Sequence, residues 1–425
     1  MRISSRFPLH VGATCLVLTV IGCDDTSADP RRSSAHIELL AQSCDERLLE
    51  QGTLIYVVRQ SDCNPAAETV AFIERQGDGS TNVYEITPGN GADSTAVDFK
   101  DSGHREITVF QSGTWREIPN PNSWQPRDGA GLLVLGGRAY LLGGWLYGPL
   151  TNEVWVSDNL VDWKFLGFAP WKARHGSAWL VHHDRLYVIG GEMLTDVWSS
   201  ADGVNWRLEN ADAPFGKRYT PNSASLNGRI YVYAGLRWLG TGPNGTCVAG
   251  ELDCQVEGFN DVWQSSDDGR TWELVQPAAP WEPRALVHGS VVHDGEIYVI
   301  GGGLKVVPPG GQWAETSAEF TDVWSSRDGK NWTLRSAQLP FPGRTHFSVL
   351  NSSLGCVVSD GSVGTQVNVS NDVYIAPDCM NFTPLPSPPL PARHASSMAE
   401  FNGTIVILGG PPAGGAGTAI WQYVP

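Results

Sequence analysis

The stretch Leu186-Tyr187-Val188-Ile189-Gly190-Gly191 is an apolar strand that closes on two glycines, and six strands that close on a pair of small residues occur in the second part of the chain. Each follows another apolar strand and a short turn, often Asn-Gly or Asp-Gly, which suits a two-residue hairpin. A third strand with an aromatic residue and a fourth that opens on one complete the unit. Four strands recurring about every 45 to 65 residues are the signature of a β-propeller. The small pairs are Gly143-Gly144, Gly190-Gly191, Ala234-Gly235, Gly301-Gly302, Asp360-Gly361 and Gly409-Gly410.

The two ends of the chain predict how the ring of repeats closes. The sixth repeat stops after its third strand, which contains Trp421. Upstream, Gly113-Thr114-Trp115-Arg116-Glu117-Ile118 has the pattern of the missing fourth strand, so we expect one blade built from both ends. We therefore predict an all-β, six-bladed propeller over residues 113–425. A β-sandwich is the alternative, but it does not predict six copies with a permuted end.

The amino-terminal segment has the pattern of an export signal. A basic start precedes an apolar run over residues 11–21, which is too short to span a membrane. Cys23 follows Ile21-Gly22 in a setting that resembles the lipobox of bacterial lipoproteins, where the Cys becomes the lipid-bearing first residue; an ordinary signal peptide is the alternative. The resemblance implies a signal peptide over 1–22, a lipidated Cys23 with a tether to residue 36, and a protein anchored to a bacterial membrane, facing the periplasm or exterior.

Six cysteines after Cys23 predict disulfides, because an even number in an exported protein is typical of oxidised pairs. Pairing nearest neighbours is one of fifteen possible connectivities. No Cys-x-x-Cys spacing occurs, which disfavours zinc binding through these thiols. The expected pairs are Cys44–Cys63, Cys247–Cys254 and Cys356–Cys379.

Composition limits the possible partners. The formal net charge is −16 at pH 7 and charged residues make up 17% of the chain, so nucleic acid is disfavoured and membrane contact is expected through the anchor alone. Over residues 37–112, short apolar runs between turn residues predict a small β-sandwich domain of immunoglobulin-like size. We expect a spacer role for that domain and a monomeric protein.

The propeller part resembles two families. The double glycine after an Ile-Tyr-Val strand, with an Arg at the start of each unit, resembles the kelch repeat; this implies architecture, because kelch propellers include binding modules and enzymes. Residues 265–272 match the Asp-box of sialidases and related propellers, Ser-x-Asp-x-Gly-x-Thr-Trp, and two partial copies have Ala201 and Arg327 at the Asp position. That resemblance implies structural turns, with Asp capping backbone donors and Trp filling the gap between sheets.

The strongest candidate site is the face where the units begin. Innermost strands line the channel of a propeller, so an Arg at each start is expected to ring its mouth and attract carboxylate or sulfate. The alternative is that each Arg packs along the neighbouring blade and bonds backbone carbonyls. The residues are Arg127, Arg174, Arg218, Arg284, Arg344 and Arg393.

Four histidines follow these Args closely, and imidazoles near one axis can bind a metal. The Tyr and His pattern of galactose oxidase, a kelch-type copper enzyme, does not occur. We therefore expect neither a metal nor another cofactor. The histidines are His175, His288, His346 and His394.

Loops between second and third strands share that face. They carry aromatic residues that suit sugar rings or peptide segments, although such residues also pack down on the blades. Glu192 follows Gly190-Gly191 and is the loop carboxylate placed to act as an acid or base, and Tyr219 beside Arg218 is the Tyr candidate. The aromatic ligand-binding candidates are Trp145, Trp238 and Trp313.

Two functions from different classes fit these features. The first is a non-catalytic binding or scaffold module that presents the Arg- and aromatic-rich face to an acidic glycan or protein partner. The second is a carbohydrate-active enzyme acting on an acidic sugar, because six blades with Asp-box-like turns resemble sialidases and six kelch blades resemble the sialic acid mutarotase. The sialidase motif of an aromatic residue followed by Arg-Ile-Pro is interrupted by Glu117, which argues against the hydrolase.

Overall fold

The computed structural model describes residues 114–118, 124–240, 256–306, 315–364, 368–385, 391–410 and 419–424, together with the backbone of seven earlier strands. The chain divides into two compact units, residues 1–111 and 112–424. Every regular element in the described ranges is a β-strand. No helix long and apolar enough to cross a membrane is found in those ranges.

The first unit is described by its strand backbones. Three of them form an antiparallel sheet in chain order, and the other four form two pairs. Cys23 and the Cys44–Cys63 pair lie outside the described residues, and the immunoglobulin-like interpretation stays a prediction. The strands are Leu18–Ile21, His36–Leu39, Thr53–Arg59, Glu68–Arg75, Thr81–Ile86, Val97–Lys100 and Glu106–Val109.

The second unit is a six-bladed β-propeller, which confirms the predicted fold class. Six antiparallel sheets follow one another, and the blades are numbered here in chain order. From first to fourth strand, blade 1 is Gly131–Leu135, Arg138–Leu142, Glu153–Ser157 and Trp163–Phe168; blade 2 is Ala178–His182, Arg185–Gly191, Leu194–Ser200 and Trp206–Asn210; blade 3 is Asn222–Leu226, Arg229–Tyr233, Val262–Ser265 and Glu273–Gln276; blade 4 is Val291–His293, Glu296–Ile300, Val323–Ser326 and Thr333–Ser336; blade 5 is Phe347–Ser352, Gly355–Ser359, Val373–Ala376 and Thr383–Leu385; blade 6 is Ser397–Phe401, Thr404–Leu408, Ile420–Val424 and Thr114–Ile118.

Blade 6 is built from both ends of the propeller chain, as its sequence predicts. Ile420–Val424 pairs antiparallel with Thr114–Ile118 over five residue pairs. The rings of Trp115 and Tyr423 lie 5.2 Å apart, and Arg116 Nε donates to Gln422 Oε1 at 2.8 Å. The last blade therefore has no missing strand, which removes an open edge from the ring.

Two loops add hairpins at the face where the units begin. In blade 3, Leu236–Trp238 pairs with Val256–Gly258, and in blade 4, Gly303–Val306 pairs with Glu315–Glu319. A short strand just before blade 4, Val287–His288, runs parallel to the first strand of blade 5 and joins blades 4 and 5.

A closed ring of hydrogen bonds, which we call the annulus, surrounds the propeller axis. It is formed by the second residue after each unit-starting Arg, and all six have a positive φ between 46° and 65°. Each N–H donates to the counterpart in the preceding blade: to its carbonyl in five cases at 2.6–3.0 Å, and to Thr220 Oγ1 in the case of Leu286 at 2.9 Å. The six residues are Gly129, Gly176, Thr220, Leu286, His346 and Ala395.

The annulus divides the centre of the propeller. On one side is an axial cavity of about 360 Å³, lined by the first strands. On the other side lie the residues just before the annulus and the loops that follow the second strands; we call this side the funnel. Left-handed backbone costs a non-glycine residue about 1 kcal/mol or more, so the ring of bonds must stabilise the four non-glycine members.

In blades 2 to 5, an Asp side chain stabilises the turn between the third and fourth strands. In blade 3, Asp267 Oδ1 accepts a hydrogen bond from Thr271 N at 2.8 Å, and Trp272 Nε1 donates to Gly269 O at 2.9 Å. The alignment that places Ala201 and Arg327 at the acidic position is wrong, because the turns of blades 2 and 4 are one residue shorter. Their acids are Asp202, which accepts from Val204 N and Asn205 N, and Asp328, which accepts from Lys330 N and Asn331 N.

Candidate functional site

The six unit-starting Args lie inside the blades. Arg174 shows the arrangement: Nη1 and Nη2 donate to the two carboxylate oxygens of Asp196 at 2.7 and 2.8 Å, and Nη1 also donates to Gly190 O at 3.1 Å. Gly191 is required beside this contact, because a Cβ there would lie 2.4 Å from Ser177 Oγ. Five Args pair with an acid that lies at the start of the third strand or next to it, two residues before the aromatic residue of that strand. The pairs are Arg127–Glu153, Arg174–Asp196, Arg218–Asp261, Arg284–Asp322 and Arg344–Asp372.

The prediction that these Args bind a ligand at the channel mouth is therefore wrong. Each is 0–2% exposed, and its guanidinium is already bonded to protein oxygens. Arg393 differs because Ala419 stands where the other blades have an acid. Its Nη1 donates to Gly409 O at 2.6 Å and its Nε to Pro391 O at 3.1 Å. The alternative of a structural Arg at each unit start fits all six.

The residues after the Args of the first three units, Asp128, His175 and Tyr219, form a polar cluster on the funnel side. His175 Nε2 lies 2.7 Å from Tyr219 Oη, and His175 Nδ1 contacts the carboxylate of Glu192. Glu192 reaches this point because it follows Gly190-Gly191 in the left-handed conformation, with φ 48°. The two residues nominated from the sequence, Glu192 and Tyr219, are thus joined through His175, which the sequence suggested only as a metal ligand.

Asp128 is the third group in the funnel. It is 6% exposed, and its Oδ1 is buried without a hydrogen-bond partner among the described residues. Burial raises the pKa of Asp128 to about 6; the charge of His175 opposes this rise and that of Glu192 adds to it. A carboxyl with such a pKa can accept a proton and release it near neutral pH. No repeat pattern points to this role, because an Asp after the Arg occurs in one unit alone.

His175 is poised to carry a proton. Burial opposes its protonation, but the hydrogen bond with Glu192 and the charges of Asp128 and Glu192 outweigh burial and raise the pKa of His175. Burial raises the pKa of Tyr219 well above its usual value, so its hydroxyl stays protonated. The cluster therefore combines an acid, a base and a neutral hydroxyl at one wall of the funnel, and neighbouring groups of shifted pKa are typical of functional sites.

Aromatic side chains border this cluster. The ring of Trp145 lies 5.4 Å from that of Tyr147 and 6.4 Å from that of His175. The ring of Trp238 lies 4.9 Å from that of Tyr219 and packs among apolar side chains of blades 3 and 4. Trp145 and Trp238 are thus both at the funnel, although Trp238 also has a packing role. Trp313 lies outside the described residues.

One buried cation, Lys305, lies in the hairpin of blade 4. It is 4% exposed, and its Nζ has no hydrogen-bond partner among the described residues. Burial lowers the pKa of Lys305 to about 8, and the charge of Glu319 opposes that shift. The ammonium group is therefore still charged at pH 7 and can receive an anion.

Three histidines extend from the funnel toward the axial cavity. The ring of His346 lies 6.0 Å from that of His288 and 5.6 Å from that of His394. Burial and the neighbouring Lys305 lower the pKa of all three, to about 3 for His288 and about 4 for His394, so these imidazoles are neutral at pH 7. Lys305 is the positive group of this cluster.

Cysteines do not contribute to the funnel within the described ranges. Cys356 and Cys379 form a disulfide in blade 5, which confirms that predicted pair. His293 lies next to them, but thiols held in a disulfide are not metal ligands. The Cys247–Cys254 pair lies outside the described residues.

Comparison with known proteins adds a limited similarity. No family model matches the chain. A curated relative, the N-acetylneuraminate epimerase of Pasteurella multocida (strain Pm70), is 31% identical over 123 residues, which are 28% of each chain. The match thus spans less than a third of that relative's length. The solved structure of YjhT is similar with a TM-score of 0.53 and 15% identity, covering 72% of this chain and 96% of that one, which agrees with the propeller fold.

Proposed function

We propose that the funnel is a carbohydrate site whose buried acid–base groups move protons on a reducing sugar acid, interconverting its anomers. The observation that carries the proposal is the chain Glu192–His175–Tyr219 next to the buried Asp128. The local similarity to an N-acetylneuraminate epimerase supports a sugar acid as the substrate class. The interrupted Arg-Ile-Pro motif argues against a sialidase-like hydrolase.

The reaction needs one base and one acid. The base, Asp128 or Glu192, takes the proton of the anomeric hydroxyl while the bond between the anomeric carbon and the ring oxygen breaks. Protonated His175 gives the proton on Nε2 to Tyr219 Oη while Tyr219 gives its own hydroxyl proton to the ring oxygen, and an open-chain carbonyl compound results. Rotation about the bond to the carbonyl carbon and reversal of both transfers close the other anomer. No atom is gained or lost. The carboxylate gains one proton and His175 loses one, so the number of protons on the site is unchanged.

Lys305 is the residue that favours an acidic substrate, because its ammonium group can bind a carboxylate. Five of the Args expected to attract an anion are paired with acids inside the blades, and Arg393 donates to backbone carbonyls. Lys305 is the buried cation in the described part of the funnel that lacks a hydrogen-bonded partner. Besides burial, the charges of Lys305 and of His175 lower the pKa of His346, which supports a site that includes both the cation and the acid–base cluster. A carboxylate bound at Lys305 would place the sugar ring across the funnel.

A non-catalytic binding module remains the second candidate. The faces of Trp145 and Tyr147 favour it, because aromatic rings at a funnel bind sugars by packing alone. In either case we propose an exported protein held by a lipid at Cys23. The Cys356–Cys379 disulfide supports an oxidising compartment.

Anomeric exchange measured by nuclear magnetic resonance tests the enzyme. We expect the full chain to accelerate exchange of N-acetylneuraminate, with a rate that rises as the pH passes about 6, where the Asp128 carboxylate forms. His175→Gln should lower the rate about 100-fold or more, because it removes the proton donor. Glu192→Gln should also lower the rate, because Glu192 bonds His175 and raises its pKa.

Glu257→Gln is the matched control, since Glu257 is a half-exposed carboxylate of the blade 3 hairpin that pairs with Arg237. Its rate should equal that of the unmodified chain. Binding of N-acetylneuraminate without accelerated exchange would favour the binding module. Equal rates for His175→Gln and the unmodified chain would contradict the proposed site.

A further inference from the structure

A second cluster lies on the face opposite the funnel, where blades 2 and 3 meet. His182 ends the first strand of blade 2, His183 begins the following turn, and Asp268 lies in the turn between the third and fourth strands of blade 3. One ligand atom from each of the three lies within 4.8 Å of the others. We propose that His182, His183 and Asp268 form a zinc site that joins the two blades.

The spacing of the three atoms suits zinc. Asp268 Oδ1 lies 3.5 Å from His182 Nε2 and 2.9 Å from His183 Nδ1. Ligands about 2.0–2.1 Å from a tetrahedral zinc ion are about 3.4 Å apart, so small side-chain movements would complete the geometry. Two imidazoles and a carboxylate form a usual zinc donor set, and the fourth position would hold water.

One ring nitrogen of His182 is hydrogen-bonded and the other is unpartnered, as is usual for a histidine that binds a metal. Its Nδ1 is 2.8 Å from Ser225 Oγ in blade 3, which fixes the ring. Its Nε2 is buried, faces Asp268 and has no hydrogen-bond partner in the described part of the chain. A second group bonded to the free ring nitrogen is the usual support of a ligating histidine. The contact with Ser225 and the unpartnered Nε2 are observations separate from the distances between the ligand atoms, and both indicate a bound metal ion.

The other two side chains leave room for the ion. Asp268 uses Oδ2 for Arg270 at 3.0 Å, so Oδ1 remains directed at the histidines. His183 is in the left-handed conformation, with φ 43°, which turns its ring onto His182 at a centroid distance of 3.9 Å. Its side chain is 57% exposed, so zinc and water can reach the site.

The corresponding position between blades 4 and 5 supplies a control from the same chain. His293 ends the first strand of blade 4, and its Nδ1 lies 3.1 Å from Asn351, as that of His182 lies near Ser225. The turn after His293 is Asp294-Gly295 and has no second histidine. The neighbouring cysteines form a disulfide and cannot ligate.

Zinc titration of the tag-free full chain, stripped with a chelator, tests the site. We expect one zinc ion per chain by calorimetry and elemental analysis, and a rise in melting temperature when zinc is added. His183→Asn and Asp268→Asn should each weaken binding at least about tenfold and abolish the rise. Asn tolerates the left-handed backbone of residue 183, and both positions are solvent-accessible, so folding is not at risk.

Two further variants sharpen the result. His293→Asn should bind zinc as the unmodified chain does. Ser225→Ala should weaken binding about tenfold with one ion still bound, because it removes support and no ligand. The absence of zinc binding would overturn the proposal, and so would unchanged binding in His183→Asn and Asp268→Asn, which would place the ion elsewhere.

Discussion

At the residue scale, the Arg that recurs at each unit start has two possible roles, and its recurrence alone does not distinguish them. An Arg at each unit start predicts equally a ring of anion-binding groups and a set of internal supports. The role is indicated by an acid near the start of the third strand. Glu153, Asp196 and their counterparts each stand two residues before the aromatic residue of that strand. Pairing each Arg with the acid of its own blade explains both patterns. The acids and Args taken together therefore predict the buried pairs from the sequence.

Breaking one such pair gives a prediction. Arg284→Met leaves Asp322 without its bidentate partner, and we expect a loss of about 3 kcal/mol in the free energy of unfolding. Arg393→Met should lose clearly less, because Ala419 replaces the acid in blade 6 and no third-strand carboxylate is left unpaired. Chemical denaturation of both variants measures the difference. Equal losses would contradict the assignment of the stability to the ion pair.

At the element scale, blade 6 and the turns between third and fourth strands show what the sequence repeats can and cannot predict. The repeat pattern places the strand Gly113-Thr114-Trp115-Arg116-Glu117-Ile118 correctly, because it matches the fourth strand that blade 6 lacks. The Asp-box pattern misaligns the turns before Trp206 and Trp332 by one residue. Both turn lengths allow an Asp to accept backbone N–H groups, so the motif alone does not fix the register.

Truncation tests the closing strand. A chain beginning at residue 112 retains all six complete blades, and we expect it to unfold in one cooperative transition. A chain beginning at residue 119 exposes the edge of Ile420–Val424 and loses the contact of Trp115 with Tyr423, so we expect aggregation or a lower melting temperature. Scanning calorimetry and size-exclusion chromatography compare the two. Similar melting of both would show that the shared blade contributes little to the ring.

At the scale of the whole molecule, the annulus determines where chemistry can occur. It separates the axial cavity from the funnel, where Asp128, His175 and Tyr219, the residues just before its first three members, come together. The number of blades and the shared face of the loops could be predicted from repeat spacing and strand order. The meeting of Asp128, His175, Glu192 and Tyr219 could not, because it depends on φ at single residues near the axis.

The central claim is that the funnel binds an acidic sugar between Lys305 and the acid–base cluster. The most direct measurement is the thermal shift of the full chain with N-acetylneuraminate and with a neutral reducing sugar, at low and moderate salt. We predict a shift with the sugar acid that weakens as salt rises and that is lost in Lys305→Met. No shift with the sugar acid, or the same shift in Lys305→Met, would contradict the account.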